Sequence, residues 1–194
     1  VATDGWGYEC LAEIKEDIIV VSLCFAGHTG PLQGTRGYAP IITALSGLHS
    51  VVGYRDEQVP CGPNFAYGDH VAAMHGALAI LVALIHRNRT GEGQYIDISE
   101  WEATTSLLGE PLMEYIMNGR VPGPAGNRDS IMAPHGYYPC RGEGQWVSIA
   151  VKTDEEWRNF CQALGNLSWT KDEKFCDRYS RLLNQDVLDK QVSQ

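Results

Sequence analysis

One carboxylate in this 194-residue chain stands where a nucleophile would be useful. Asp69 comes just before an apolar stretch, Val71 to Arg87, which ends at Arg87, Arg89 and the breaker run Thr90-Gly91-Glu92-Gly93. The pattern predicts a helix with both ends signalled and Asp69 at its start. Backbone N–H groups and the helix dipole favour an ionised carboxylate there, offsetting the desolvation that an apolar helix and a closed site impose. A carboxylate held charged in a dry pocket can attack an acyl carbonyl. The plain alternative is that Asp is among the best N-cap residues and needs no chemistry to stand before a helix. On this position alone, that alternative is the stronger.

Other chemistries lack their usual patterns. Of the six histidines, His70 and His75 are five apart and point to different helix faces, and there is no His-Glu-x-x-His, so no metal is expected. No Gly-x-Ser-x-Gly elbow, Walker A loop or dinucleotide fingerprint occurs, and no permanently bound cofactor is expected. A net charge of -9, with no basic stripe interleaved with aromatics, argues against nucleic acid or an anionic membrane as partner. Six cysteines without a Cys-x-x-Cys pair, and with no secretory leader before them, predict reduced thiols and a cytoplasmic location. The apolar run Val71 to Ile85 is broken by His75 and Gly76 and is shorter than the ~20 residues of a bilayer span, so it reads as a buried helix.

The elements that must position Asp69 are legible from periodicity. Tyr8, Leu11 and Ile14 share a helical face, and Ile18 to Phe25 is an almost unbroken apolar strand of the kind found in parallel sheets covered on both faces. After it, Gly27-His28-Thr29-Gly30-Pro31 and Gly34-Thr35-Arg36-Gly37 form a glycine-rich loop where open α/β sheets bind ligands. Tyr38 to Leu48 reads as a helix, Asp56 to Pro63 as turns, Tyr95 to Ser99 as a strand and Glu100 to Met117 as a further helix. Beyond the linker-like Pro122-Gly123-Pro124-Ala125-Gly126-Asn127, the texture changes to a hairpin around Arg141 to Gly144. A helix capped by Thr153 and Glu156 runs on to Leu164 and Gly165, and a last helix starts near Asn184 with nothing obvious to pack on. The division expected is 1–120, a linker over 121–134, and 135–194.

Four blocks, in order, resemble the family III CoA-transferases (the CaiB/BaiF group). They are Gly27-His28-Thr29-Gly30-Pro31; Arg36-Gly37-Tyr38-Ala39-Pro40 leading to Ala44-Leu45-Ser46-Gly47-Leu48; Tyr67-Gly68-Asp69-His70; and Arg89 to Ser99. A fifth, Gly126-Asn127-Arg128 with Ala133 to Cys140, is similar to the family's passage into its small domain. The resemblance implies an α/β fold, part of a Rossmann-like open parallel-sheet large domain followed by the start of a small α+β domain. It also implies that Asp69 is the nucleophile, passing through a mixed anhydride to an aspartyl-CoA thioester and delivering CoA to an acceptor acid. Coenzyme A enters this scheme as substrate.

By the same resemblance Arg36 and Tyr38 line the CoA and active-site region. Their plain readings are loop solvation and helix-start packing. His28 can contact ligand or be a solvated turn residue, and His70 is a first-turn residue facing the pocket or a partner. Gly136 and Gly142 to Gly144 are possible oxyanion donors. The alternatives are a racemase related to α-methylacyl-CoA racemase, whose histidine has no counterpart in Arg36-Gly37-Tyr38, and a noncatalytic interaction module. Family members resemble interlocked homodimers of longer chains, so this chain is expected to be a central fragment with little turnover by itself.

Overall fold

The computed structural model describes residues 5–55 and 65–194; the turns expected over Asp56 to Pro63 lie outside the described residues. Two units emerge, Val1–Pro124 and Ala125–Gln194, dividing inside the Pro-Gly run that starts at Pro122.

The first unit runs α1 (Tyr8–Ile14), β1 (Ile19–Cys24), α2 (Ala39–Leu45), α3 (Leu48–Val51), α4 (Tyr67–Thr90), β2 (Gln94–Ser99), α5 (Glu100–Thr105) and α6 (Gly109–Asn118). β1 and β2 pair in parallel, Ile19 opposite Gln94 through Cys24 opposite Ser99, and the helices between them supply the long crossover that parallel neighbours need. The fold is α/β, as the alternation of strand and helix patterns implies. α4 lies on the sheet with Gly76 over Leu23 and Ile98, and Val71, Ala72 and Ala103 form a small core with Ile98.

Four expectations need correction here. Cover on both faces of β1 is not seen among the described residues: most of the strand is half-buried and Leu23 is exposed. The helix expected over Tyr38 to Leu48 breaks into α2 and α3 where Gly47 adopts φ 88°, and the one expected from Glu100 breaks at a 3₁₀ turn, Ser106–Leu108. α4 is not a buried helix short of a bilayer's span: its 24 residues are long and apolar enough to cross one. One face rests on the sheet, while Met74, Leu78, Leu81, Val82 and Ile85 are exposed.

The second unit pairs β3 (His135–Pro139) with β4 (Trp146–Ala150) as an antiparallel hairpin, then adds α7 (Asp154–Ala163), α8 (Arg178–Leu183) and α9 (Gln185–Val192), with two 3₁₀ turns between α7 and α8. The capping box forms as read, with Thr153 accepting from the Glu156 amide and Glu156 accepting from the Thr153 amide. The last helix does find a packing partner. Leu188 is fully buried with Ala133, Val151, Trp157, Cys161 and Phe175.

Arg181 ties this core together. Its side chain is fully buried, donates to the carbonyls of Ala133 and Phe175 at 3.2 Å and to Asp154 Oδ1 at 2.7 Å, and lies 5.0 Å from the centre of the Trp157 ring. Removing it strands two buried acceptors and forfeits the cation–π contact. Arg181→Ala is therefore expected to lower the stability of the second unit by roughly 3 kcal/mol, read as an earlier urea midpoint in tryptophan fluorescence; an unmoved midpoint would count against this role.

Candidate active site

α4 begins one turn earlier than its apolar run suggests. Ala66 is the N-cap and offers no side-chain cap, so Asp69 is the third helical residue and not the cap itself. What sets this start is packing. A Cβ on Gly68 would lie 2.5 Å from Ile42 Cγ2 of α2 and 2.8 Å from Thr104 Oγ1 of α5, so the first turn of α4 is pressed between two helices at a residue without a side chain. Asp69 follows directly, half-buried, with its Oδ2 shut off from solvent and without a hydrogen-bond partner.

α5 brings a second carboxyl group to this corner. Ser99 caps it by accepting from the Glu102 amide at 3.2 Å, which fixes Glu100 in the first turn at the end of β2. Burial pushes the half-buried Glu100 carboxyl above the usual carboxylate range, and the charge of Asp69 pushes it further. Glu100 escapes sequence reasoning because an acid in the first turn of a helix is ordinary. Only the α4–α5 contact reveals its neighbour.

The loop after β1 is held at both ends. At its start the His28 amide donates to Asp97 Oδ2 at 2.7 Å, and His28 Nε2 lies 2.6 Å from Ser22 Oγ. At its far end Gly37 lies so close to the Phe25 ring that a Cβ would overlap it. Arg36 is exposed beside this pin, and Tyr38, 81% exposed, is the N-cap of α2. The structure thus joins His28 to Ser22 and Asp97, whereas no hydrogen bond or ion pair among the described residues joins Asp69 to His28, Arg36 or Tyr38.

His70 is exposed; its Nδ1 is 2.6 Å from the Ala66 carbonyl and its ring meets Phe65. Gly136 lies in β3 opposite Ile149, and Gly142 and Gly144 are in the hairpin turn with φ 109° and 68°.

Although no metal spacing is readable in the sequence, the fold gathers donor atoms of Cys24, His28 and Asp97 within 4.8 Å of one another. Two of these side chains are already engaged, His28 with Ser22 and Asp97 with the loop amide. The Cys24 thiol is pushed up by burial, then by the charge of Asp97.

The family model for CoA-transferase family III matches residues 2–194. The chain belongs to this family. Among relatives of this family III chain, the succinyl-CoA–L-malate CoA-transferase alpha subunit of Chloroflexus aurantiacus is 32% identical over 188 residues, covering 95% of this chain and 44% of that protein. The succinate–glutarate CoA-transferase of Agrobacterium fabrum is 31% identical over 182 residues, 94% of this chain and 45% of that protein. In structure, the chain is similar to a CaiB/BaiF family protein from Brucella suis, with a TM-score of 0.89 and 28% identity over 100% of this chain and 51% of that one. The family III chain therefore spans about half the length of the curated relatives it matches.

The Gly68 contact makes a direct prediction. Gly68→Ala should force α4 away from Ile42 and Thr104, destabilising the first unit by about 1–3 kcal/mol; an unchanged denaturation midpoint would show that the helices can part without cost.

Proposed function

We propose that the protein moves CoA from an acyl-CoA donor to a carboxylic acid acceptor, with Asp69 as the covalent carrier. The observation that carries this reading is the Asp69 carboxylate itself, in the first turn of an apolar helix, with one oxygen buried and unpartnered, inside the block Tyr67-Gly68-Asp69 that resembles the family's catalytic one. A carboxylate so placed, with an oxygen not held by any hydrogen bond, can attack an acyl carbonyl.

The steps balance without an outside reagent. Asp69 attacks the thioester carbonyl, the C–S bond breaks, and the CoA thiolate leaves a mixed anhydride. The thiolate attacks the Asp69 acyl carbon and expels the donor acid, giving an aspartyl-CoA thioester. The acceptor carboxylate then displaces the thiolate to form a second anhydride. Attack of the thiolate on the acceptor carbon releases the new acyl-CoA and returns Asp69. Each tetrahedral intermediate needs N–H donors to its oxyanion.

Arg36, exposed on the loop, offers a bidentate donor to a phosphate or an acceptor carboxylate, and Tyr38 and His28 take part in ligand contact. Relatives that act on succinyl-CoA with malate, or on succinate and glutarate, point to dicarboxylic acids as substrates. In the racemase reading a histidine would share the proton transfer with Asp69; His28 is instead engaged with Ser22, which favours the transferase. The protein acts as a cytoplasmic homodimer with no nucleic-acid or membrane partner, a reading supported by free thiols at Cys10, Cys24, Cys140, Cys161 and Cys176 and by a net charge of -9.

The test is trapping. The product of the whole gene, incubated with succinyl-CoA, should carry CoA on the peptide that contains Asp69. Asp69→Asn should remove the adduct and lower turnover on the order of 10³-fold or more. An undiminished adduct in that variant places the nucleophile elsewhere.

A further inference from the structure

The sheet face turned away from α4 carries a different kind of chemistry. Leu23 and Ile98 lie against Gly76 of α4, so the alternation of side chains along a strand sends Ser22, Cys24 and Asp97 to the other face. Ser22 stands opposite Asp97, and Cys24 closes β1. Just after the strand, Gly27 takes φ 75° and sits so near Asp97 that a Cβ would lie 3.4 Å from Oδ2. That left-handed turn, which favours glycine, directs the chain toward β2. There the His28 amide donates to Asp97 Oδ2 at 2.7 Å, and His28 Nε2 lies 2.6 Å from Ser22 Oγ.

The result is a thiol, an imidazole and a carboxylate with donor atoms within 4.8 Å of one another. Donors around a tetrahedral zinc stand about 3.3–3.6 Å apart, given the Zn–N, Zn–O and Zn–S bond lengths, so small side-chain rotations close this set on an ion. The surrounding bonds suit that task. Metal-bound imidazoles and carboxylates are held by outer hydrogen bonds that fix their orientation; His28 has Ser22 for this purpose, and Asp97 has the loop amide. Among the described residues no ion pair joins Asp97 to a cation. A thiolate and a carboxylate this close therefore have no positive partner, and a divalent ion supplies one.

We propose that Cys24, His28 and Asp97 form a zinc site near the carboxyl ends of the parallel strands, with water or another oxygen donor as fourth ligand. One sulfur, one nitrogen and one oxygen suit Zn²⁺ better than Mg²⁺ or Ca²⁺, which take oxygen ligands. Cys24 binds as the thiolate, its proton passing to solvent. The bound ion fastens to the sheet the start of the loop that carries Arg36 and Tyr38, and its open fourth position is compatible with ligand contact at His28. The site makes no use of Asp69, so zinc binding and the transfer reaction stand or fall separately.

The test uses the 194-residue chain, freed of metal by a chelator, with Zn²⁺ and Co²⁺ as probes. About one equivalent of Zn²⁺ should bind, and Co²⁺ in its place should give the visible absorption of a four-coordinate ion together with a thiolate-to-cobalt band in the near ultraviolet. Cys24→Ser should abolish that band. His28→Ala and Asp97→Asn should each weaken Zn²⁺ binding roughly 100-fold or more, whereas Ser22→Ala, which keeps all three ligands, should cost about tenfold with the band retained. Alkylation mapped by mass spectrometry reads the same site in the unaltered chain: Zn²⁺ should protect Cys24 and leave the exposed Cys10, Cys140 and Cys176 reactive. No bound Zn²⁺, cobalt absorption without the thiolate band, Zn²⁺ binding at full strength in Cys24→Ser, or equal alkylation of Cys24 with and without Zn²⁺ would each overturn the proposal.

Discussion

Helix α4 can approach α2 and α5 as closely as it does only because residue 68 has no side chain. Ile42 and Thr104 occupy the space a Cβ would take, and that contact fixes the first turn of the helix in the absence of a capping side chain at Ala66. The position of Asp69 follows from it. Parting the helices far enough to admit water would leave the carboxylate an ordinary solvated acid at a helix start. The sheet beneath, where Leu23 and Ile98 support Gly76, holds the rest of α4 in line.

The neighbouring loop is built on a comparable economy. Two tethers, the His28 amide on Asp97 and Gly37 on the ring of Phe25, hold its ends, while Arg36 and Tyr38 between and beside them stay exposed. Fixed anchors with exposed polar tips are what a ligand-facing loop needs, since the backbone is set before binding and little ordering cost remains for later. In the second unit Arg181 plays the anchoring part, tying the turn at Ala133 to α8 and to Trp157.

Much of this was legible in the sequence. β1, β2, the hairpin and the capping box of α7 follow from local patterns, and the colinear blocks around Asp69 indicated the family. The remainder depends on contacts between residues distant in the chain. The start of α4 could not be placed because Tyr67-Gly68 carries no cap signal; tertiary packing at Gly68 makes it helical. The breaks at Gly47 and at Ser106–Leu108 interrupt patterns whose apolar spacing runs on through them. Arg181 reads as a surface residue by type, since arginines are almost never fully buried unless paired, and its partners Ala133 and Asp154 lie far upstream. Glu100 resembles any first-turn acid until α5 is laid against α4.

The central claim is that the Asp69 carboxylate changes places with the acid groups it serves. If it does, turnover moves an oxygen atom. When an acceptor carboxylate displaces CoA from the aspartyl thioester and is then itself taken by the thiolate, one of its oxygens stays on the aspartate. Turning over the product of the whole gene with succinyl-CoA and ¹⁸O-labelled succinate, then weighing the peptide that carries Asp69, measures this directly. Heavy oxygen in the Asp69 carboxylate is the predicted result; an unlabelled Asp69 after many turnovers, or label confined to another carboxylate such as Glu100, would contradict it.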